Sequence, residues 1–332
     1  ELTVEMFKNH ADRIRSYIQD PSIGYEKVER ILDAAHALRF QTERNIGVKK
    51  LSEEEKRKRV IEKYYEDSRV TSVLDQKKEI PYPNLNKVPL EPTEDVIGFI
   101  VEHGQLEEWE KDVIRIVIEE SRYFIPQIET KIMNEGWASY WHYRILKKLE
   151  LPQALHMEFL TRHNQVIKPF MGSINPYYVG FKMFEDIEKR YGQDKIFEVR
   201  QLERDESFIR RYLTEELCRE MNMFEYAKRG IDYVVEEVAD EEGWKEIRDT
   251  IVSTTGMASI PNIKVIEVSP RDRSLLLSHE YDGRELELTY AYETLKHLST
   301  LWDGKILLRT VIDHVRKIIV CDENKRVSMN GV

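Results

Sequence analysis

The stretch Thr130-Lys-Ile-Met-Asn-Glu-Gly-Trp-Ala-Ser-Tyr-Trp-His142 decides how the central part of the chain folds. Apolar side chains run through it and beyond it at intervals of three or four residues, which is the spacing of one face of an α-helix. Gly136 lies inside this predicted helix, where glycine costs about 1 kcal/mol relative to alanine. A glycine placed here despite that cost indicates either close packing of another element or a backbone conformation that requires glycine. The residues that set the helical spacing are Ile128, Ile132, Trp137, Trp141, Ile145 and Leu149.

Helical spacing continues through most of the chain on both sides of this stretch, and the pattern changes near Ile260. The sequence therefore predicts an α+β protein, in which a large, mostly α-helical body is followed by a small, β-rich α+β C-terminal domain. We divide the chain into four predicted segments. They are N-terminal helices of an incomplete domain (1–66), a Pro-rich connector (67–94), a helical core that carries the central stretch (95–258) and the small α+β domain (259–332).

The C-terminal segment shows the β-branched and apolar runs that are typical of strands. Asp282-Gly283 favours a tight hairpin turn, so we expect the strands on either side of it to pair directly. The expected strands are 263–268, 274–280, 284–289, 305–311 and 315–321, with a helix at 290–301.

Composition excludes several classes of protein. The 332 residues carry a net charge of −10, which argues against a non-specific nucleic-acid binder, because such a protein needs a basic surface. No run approaches the roughly 18 apolar residues of a membrane helix, so no membrane span is expected. The two cysteines, Cys218 and Cys321, are far apart and favour a reducing compartment, so we expect a cytoplasmic protein. The Gly-rich phosphate-binding motifs are absent, and no nucleotide cofactor is expected.

The central stretch also contains the first candidate site residues. Glu135 and His142 are seven residues apart, so they lie two helical turns apart on nearly the same face. A carboxylate and an imidazole placed in this way suit a metal site or an acid–base pair. The alternative is that both side chains hydrogen-bond within a tight aromatic core. We take Glu135 as a metal-ligand candidate and His142 and Tyr140 as catalytic candidates.

Polar residues on flanking segments extend this candidate site. Glu120 precedes the central stretch and Glu185 follows it, and both are further metal-ligand candidates. Each also fits the ordinary charged face of a helix. The predicted pocket residues are Lys131, Asn134, Asn175, Tyr177 and Tyr178.

Four strings of residues resemble the stage V sporulation protein R (SpoVR) family. The first is the central stretch, 130–142, and the second is Ile174-Asn-Pro-Tyr-Tyr-Val-Gly-Phe-Lys-Met-Phe-Glu-Asp-Ile-Glu188. The others are Lys195-Ile-Phe-Glu-Val-Arg200 and Asp205-Glu-Ser-Phe-Ile-Arg210. Their order and spacing agree with the family as well. The resemblance covers nearly the whole chain and is looser in the C-terminal segment.

The resemblance implies a process and partners, but no defined reaction. It implies a role in spore formation linked to the spore cortex, or in stationary-phase or stress physiology. It also implies two partners, a serine-kinase-like protein and a von Willebrand A-type protein. Family members carry a further N-terminal region with a His-x-x-x-His helix, which would complete a site shared with Glu135.

Asn134-Glu-Gly-Trp-Ala138 is also similar to the Asn-Glu-Gly-Phe-Ala segment of gluzincin aminopeptidases. In that family the Glu is a zinc ligand, which implies that Glu135 binds zinc or another divalent metal. The family's His-x-x-x-His helix lacks the Glu that serves as general base in those peptidases. The resemblance thus implies metal binding rather than ordinary peptidase chemistry.

Two hypotheses follow from the sequence. The first is a metal-centred protein, acting as a metal-dependent hydrolase, with Glu135 and His142 at its site. The second is a non-catalytic regulatory or scaffold protein that works with the kinase-like and von Willebrand A-type partners.

Overall fold

The computed structural model describes residues 2–44, 51–73, 82–170, 173–229, 232–238 and 243–331. Within these residues the chain forms thirteen α-helices and seven strands, which confirms the predicted α+β class. The helices are α1 (Leu2–Gln19), α2 (Tyr25–Ala37), α3 (Glu53–Val73), α4 (Val96–His103), α5 (Glu108–Ile128), α6 (Lys131–Lys148), α7 (Gln153–Val166), α8 (Pro176–Tyr191), α9 (Gln193–Leu202), α10 (Asp205–Tyr212), α11 (Glu215–Glu220), α12 (Gly243–Ser253) and α13 (Leu288–Trp302). The strands are β1 (Phe224–Arg229), β2 (Asp232–Val238), β3 (Ile263–Val268), β4 (Leu275–His279), β5 (Ile306–Ile312), β6 (Val315–Cys321) and β7 (Val327–Gly331).

Internal contacts divide the chain into two compact units. The first consists of residues 1–122 and 261–332, and the second consists of residues 123–260. Part of the predicted connector, residues 74–81, lies outside the described residues.

The first unit is built on a five-stranded sheet with the order β3-β4-β5-β6-β7. All neighbouring strands are antiparallel except β4 and β5, which are parallel. The buried face of the sheet packs against α13 and apolar side chains of α2, α4 and α5, with Trp302 and Ile100 among the fully buried members of this core. Alternation of buried and less buried residues along β5 fits a sheet with one face on the core.

The end of the predicted connector lies along the outer edge of β3. Thr93 and Val265 exchange two backbone hydrogen bonds, with N–O distances of 3.1 and 2.7 Å, and Val268 donates to the carbonyl of Val88 at 2.7 Å. This segment therefore satisfies backbone groups that an edge strand would otherwise expose.

The predicted strand at 284–289 is wrong. Residues 284–287 are irregular, and the Glu287 carboxylate accepts a hydrogen bond from the Tyr290 amide at 2.7 Å to cap α13. The physical reason is the parallel pairing of β4 with β5, which needs a crossover rather than a hairpin. Asp282-Gly283 turns the chain towards this crossover helix, and Gly283 adopts a positive φ of 100°.

The second unit contains α6 to α12, and its core joins α6, α8, α9, α10, α11 and α12. Strands β1 and β2 form an antiparallel pair in this unit, and sequence reasoning missed them. The closest partners in the unit are α6 and α8, and this pair positions the candidate site.

Candidate functional site

Helices α6 and α8 meet backbone to backbone at two glycines. A Cβ atom at Gly136 would lie 2.3 Å from the Cα of Gly180, and one at Gly180 would lie 2.3 Å from the carbonyl oxygen of Ile132. Side chains never tolerate such distances, so the crossing requires glycine on both helices. The close packing predicted for Gly136 is confirmed, and it fixes the position of Glu135 next to it.

The N-terminal end of α6 is held by a carboxylate that is distant in sequence. Asp205 is 1% exposed and accepts hydrogen bonds from the amides of Ile132 at 2.8 Å and Met133 at 2.9 Å. Free amides at a helix start need such acceptors. Burial raises the pKa of Asp205 to about 6, although the backbone donors oppose this effect. Sequence reasoning missed this role, because nothing local to Asp205 indicates that it caps another helix.

Glu135 lies in the first half of α6 and faces the first turn of α8. It is half-buried, and it raises the pKa of the Tyr177 hydroxyl, first through a hydrogen bond and then through its charge. Across the described parts of the chain, no Lys, Arg or His forms an ion pair with Glu135. Within the described residues, the site therefore contains a partly buried carboxylate that lies beside one phenol and has no cationic partner.

The start of α8 is fixed by Asn175, which is 2% exposed. Its side-chain oxygen accepts from the Tyr177 amide at 3.0 Å, and its amide group donates to the carbonyls of Val166 at 2.9 Å and Lys168 at 2.8 Å. Asn175 thus ties the end of α7 to the start of α8, which is a structural use of its polar atoms.

A cavity of about 500 Å³ lies beside this start of α8. Two of the five predicted pocket residues, Asn175 and Tyr178, line it. Of the other three, Tyr177 faces Glu135, Asn134 donates to the Thr130 hydroxyl at 2.9 Å, and Lys131 is exposed. The cavity is also lined by Ile174, Met221, Ile251 and Thr254.

The two catalytic candidates on α6 lie in different surroundings. Tyr140 is fully buried, and burial, with Glu188 nearby, raises the pKa of its hydroxyl. His142 is exposed, and its ring lies 5.5 Å from the Phe159 ring and 6.3 Å from the His163 ring, measured between centroids. Glu135 therefore faces α8, whereas His142 faces α7.

Glu120, the first further metal candidate, faces a histidine that sequence reasoning missed. His10 is 3% exposed, and its Nδ1 lies 3.0 Å from Glu120 while its Nε2 lies 3.1 Å from Glu119. The imidazole stands between the two carboxylates, so the three groups do not converge on one point. The signal for His10 was its place on the apolar stripe of α1, three residues after Phe7.

Glu185, the second further metal candidate, pairs with a lysine. Its carboxylate lies 3.5 Å from the Lys182 ammonium, and burial raises its pKa despite this neighbour. The structure therefore places Glu120, Glu135 and Glu185 in three separate sets of contacts. In the described ranges, no three His, Cys, Asp or Glu side chains are grouped to hold a metal ion.

Two protein families match the chain. The SpoVR like protein family matches residues 1–260, and the SpoVR-like C-terminal domain family matches residues 261–313. The chain belongs to the SpoVR family. This chain is 32% identical over 336 residues to the uncharacterized protein YcgB of Escherichia coli (strain K12). The matched region covers 89% of this chain and 66% of YcgB. It thus spans just under two thirds of the length of that relative. No solved structure matches it significantly.

None of the helices in the described residues has both the length and the apolar character that crossing a membrane needs.

Proposed function

We propose that this SpoVR-family protein acts in spore formation, at the spore cortex, or in a stationary-phase or stress programme, through a metal-centred hydrolytic site at Glu135. The process rests on the family. The site rests on one observation: Glu135 is half-buried without an ion-pair partner in the described residues, whereas Glu120 faces His10 and Glu185 faces Lys182. A partly desolvated carboxylate in this state is stabilised by binding a cation.

Glu135 would hold a zinc or other divalent ion with a carboxylate oxygen. The remaining ligands would come from the His-x-x-x-His helix that the family resemblance implies. Such an ion, when bound, polarises carbonyl groups and activates water at neutral pH. Tyr177 lies beside the Glu135 carboxylate, which raises the pKa of the Tyr177 hydroxyl.

His142 would act as an acid–base group at a distance from the ion. It lies seven residues beyond Glu135, which is a rise of about 10 Å along an α-helix. The predicted catalytic role of Tyr140 is not carried into this proposal, because its hydroxyl is buried in the core of the unit.

The deciding experiment is elemental analysis of the full-length protein, purified without chelators, as wild type, Glu135→Gln and Glu185→Gln. We expect Glu135→Gln to contain about one equivalent of metal less than the wild type and Glu185→Gln to match the wild type, because Glu185 already has a cationic partner. Equal metal content in all three proteins, or no metal in any, would contradict the proposal. A metal-loaded wild type then justifies a screen for hydrolysis of peptidoglycan and peptides.

A second function, as a scaffold for the serine-kinase-like and von Willebrand A-type partners, is favoured by the uncovered edge of the C-terminal sheet. Within the described residues β7 pairs with β6 alone, and four of its five residues are exposed. An open strand edge accepts an added strand from a partner. Failure of the chain to capture either partner from native cells counts against this function.

A further inference from the structure

Two imidazoles, those of His142 and His163, lie where α7 packs against α6. His163 lies in the last turn of α7 and is 4% exposed. Its Nε2 is buried and finds no hydrogen-bond partner in the part of the chain that the structure describes. A buried polar atom without a partner costs about 1–3 kcal/mol, so this nitrogen needs an explanation.

The ring that stands opposite His163 across the helix pair belongs to His142. The two ring centroids are 6.3 Å apart, and the ring planes differ by 35°. Two imidazoles that share one metal ion keep their centroids roughly 5–6.5 Å apart, because each metal–nitrogen bond is about 2 Å long. The observed separation is at the upper end of this range, so the two rings are close enough to share one ion.

We propose that His142 and His163 form a two-nitrogen site for a transition-metal ion, of the Zn²⁺, Ni²⁺ or Cu²⁺ class, between α6 and α7. Imidazole nitrogen is a preferred ligand of these ions. The exposed side of His142 leaves the remaining coordination positions open to water or to a small solvent-borne ligand.

The surroundings of the pair keep His163 in the form that binds metal. Burial, and secondarily the proximity of His142, lower the pKa of His163, which favours the neutral ring. A metal ligand must be deprotonated in this way. The Tyr143 ring lies 5.0 Å from the His163 ring and the Phe181 ring 5.1 Å from it, so aromatic walls hold His163 in place.

This site is separate from Glu135, although its exposed ligand, His142, is also the acid–base group of the proposed function. Glu135 faces Tyr177 on α8, whereas the histidine pair lies against α7. A carboxylate variant and a histidine variant therefore test the two proposals separately.

The test is titration of the untagged chain with Cu²⁺, followed by electron paramagnetic resonance, and with Zn²⁺, followed by calorimetry. We compare the wild type with His142→Ala, His163→Gln and Glu135→Gln. The matched control is His156→Gln, which removes another α7 histidine that also contacts Phe159. His142→Ala is the primary variant because that side chain is exposed, and circular dichroism checks the fold of His163→Gln.

We expect Cu²⁺ spectra with two nitrogen ligands in the wild type, in Glu135→Gln and in His156→Gln. Both His142→Ala and His163→Gln should bind at least about tenfold more weakly and lose the two-nitrogen signature. Wild-type affinity in His142→Ala, or a wild-type spectrum without two nitrogen ligands, would overturn the proposal. Loss of the site in Glu135→Gln would also overturn it, since the two sites would then be one.

Discussion

Two helix contacts in this molecule are held by opposite means. In the unit of residues 123–260, α6 and α8 approach backbone to backbone at Gly136 and Gly180. In the other unit, α1 is held to α5 by polar side chains, with His10 between two carboxylates and Asp112 accepting hydrogen bonds from Arg13 and Tyr17. The first contact depends on shape and the second depends on charge, so they should respond to different perturbations.

The carboxylate at the α1–α5 contact and the one that holds the start of α6 differ in the direction of their pH dependence. Burial raises the pKa of Asp112, but the Arg13 and Tyr17 donors outweigh it and leave the pKa below its usual value. The α1–α5 contact is therefore stabilised above the unfolded pKa and weakens as the pH falls through the folded pKa. Asp205, which holds the start of α6, has a raised pKa of about 6, so its ionisation costs stability as the pH rises. Acid therefore weakens the α1–α5 contact and favours the folded state at the buried Asp205 carboxyl.

The largest effect is expected from breaking the shape-dependent contact. Gly136→Val should lower the free energy of unfolding by about 4 kcal/mol or more, because the new side chain would overlap the backbone of α8. The matched control is Ala138→Val, an exposed position on the same helix, which should change stability by about 0.5 kcal/mol. Chemical denaturation of both variants measures this, and similar stabilities would show that α6 and α8 can separate at little cost.

A smaller effect is expected from Asp205, the buried carboxylate that accepts hydrogen bonds from the first turn of α6. The stability advantage of the wild type over Asp205→Asn should fall by about 2 kcal/mol between pH 4 and pH 7, since ionisation of Asp205 is unfavourable in the folded state. Unfolding of both proteins across this pH range measures the difference. An advantage that grows with pH would mean that the backbone donors, rather than burial, dominate the pKa of Asp205.

The smallest effect is expected at the charged contact. Arg13→Gln should cost about 1 kcal/mol or less, because its ion pair with Asp112 is partly exposed. The cost should disappear at about 1 M salt, where screening has already weakened the pair. Hydrogen exchange of the α1 amides at low and high salt checks this, and a loss that persists unchanged at high salt would indicate packing rather than charge.

The sequence predicts local features of this fold well and distant pairings poorly. The helix around Gly136 and the strand at 263–268 follow from spacing that lies within one element. The predicted strand at 284–289 is wrong because the pairing of a strand depends on segments that are distant in sequence. Here β5, and not residues 284–289, pairs with β4. The pair β1–β2 was missed even though Val234-Val235 carries a β-branched signal.

The candidate site shows the same limit. The position of Glu135 beside a glycine crossing could be predicted, because a glycine inside a helical pattern has few explanations. The partners of the other carboxylates could not, since Glu120 meets a histidine 110 residues away in sequence. Nor could the sequence predict that the Nε2 of His163 has no hydrogen-bond partner within the described residues, because only the packing of α7 shows that it is buried. The metal-ligand role of Glu135 and the acid–base role of His142 stay predictions.

Asn175 gives the two proposed ion sites a mechanical connection. Its one side chain holds two carbonyls at the end of α7 and one amide in the first turn of α8. His163 lies just before those carbonyls, and Tyr177, which lies beside Glu135, carries that amide. A displacement of α7 at His163 would therefore strain these three hydrogen bonds unless the first turn of α8 moved with it.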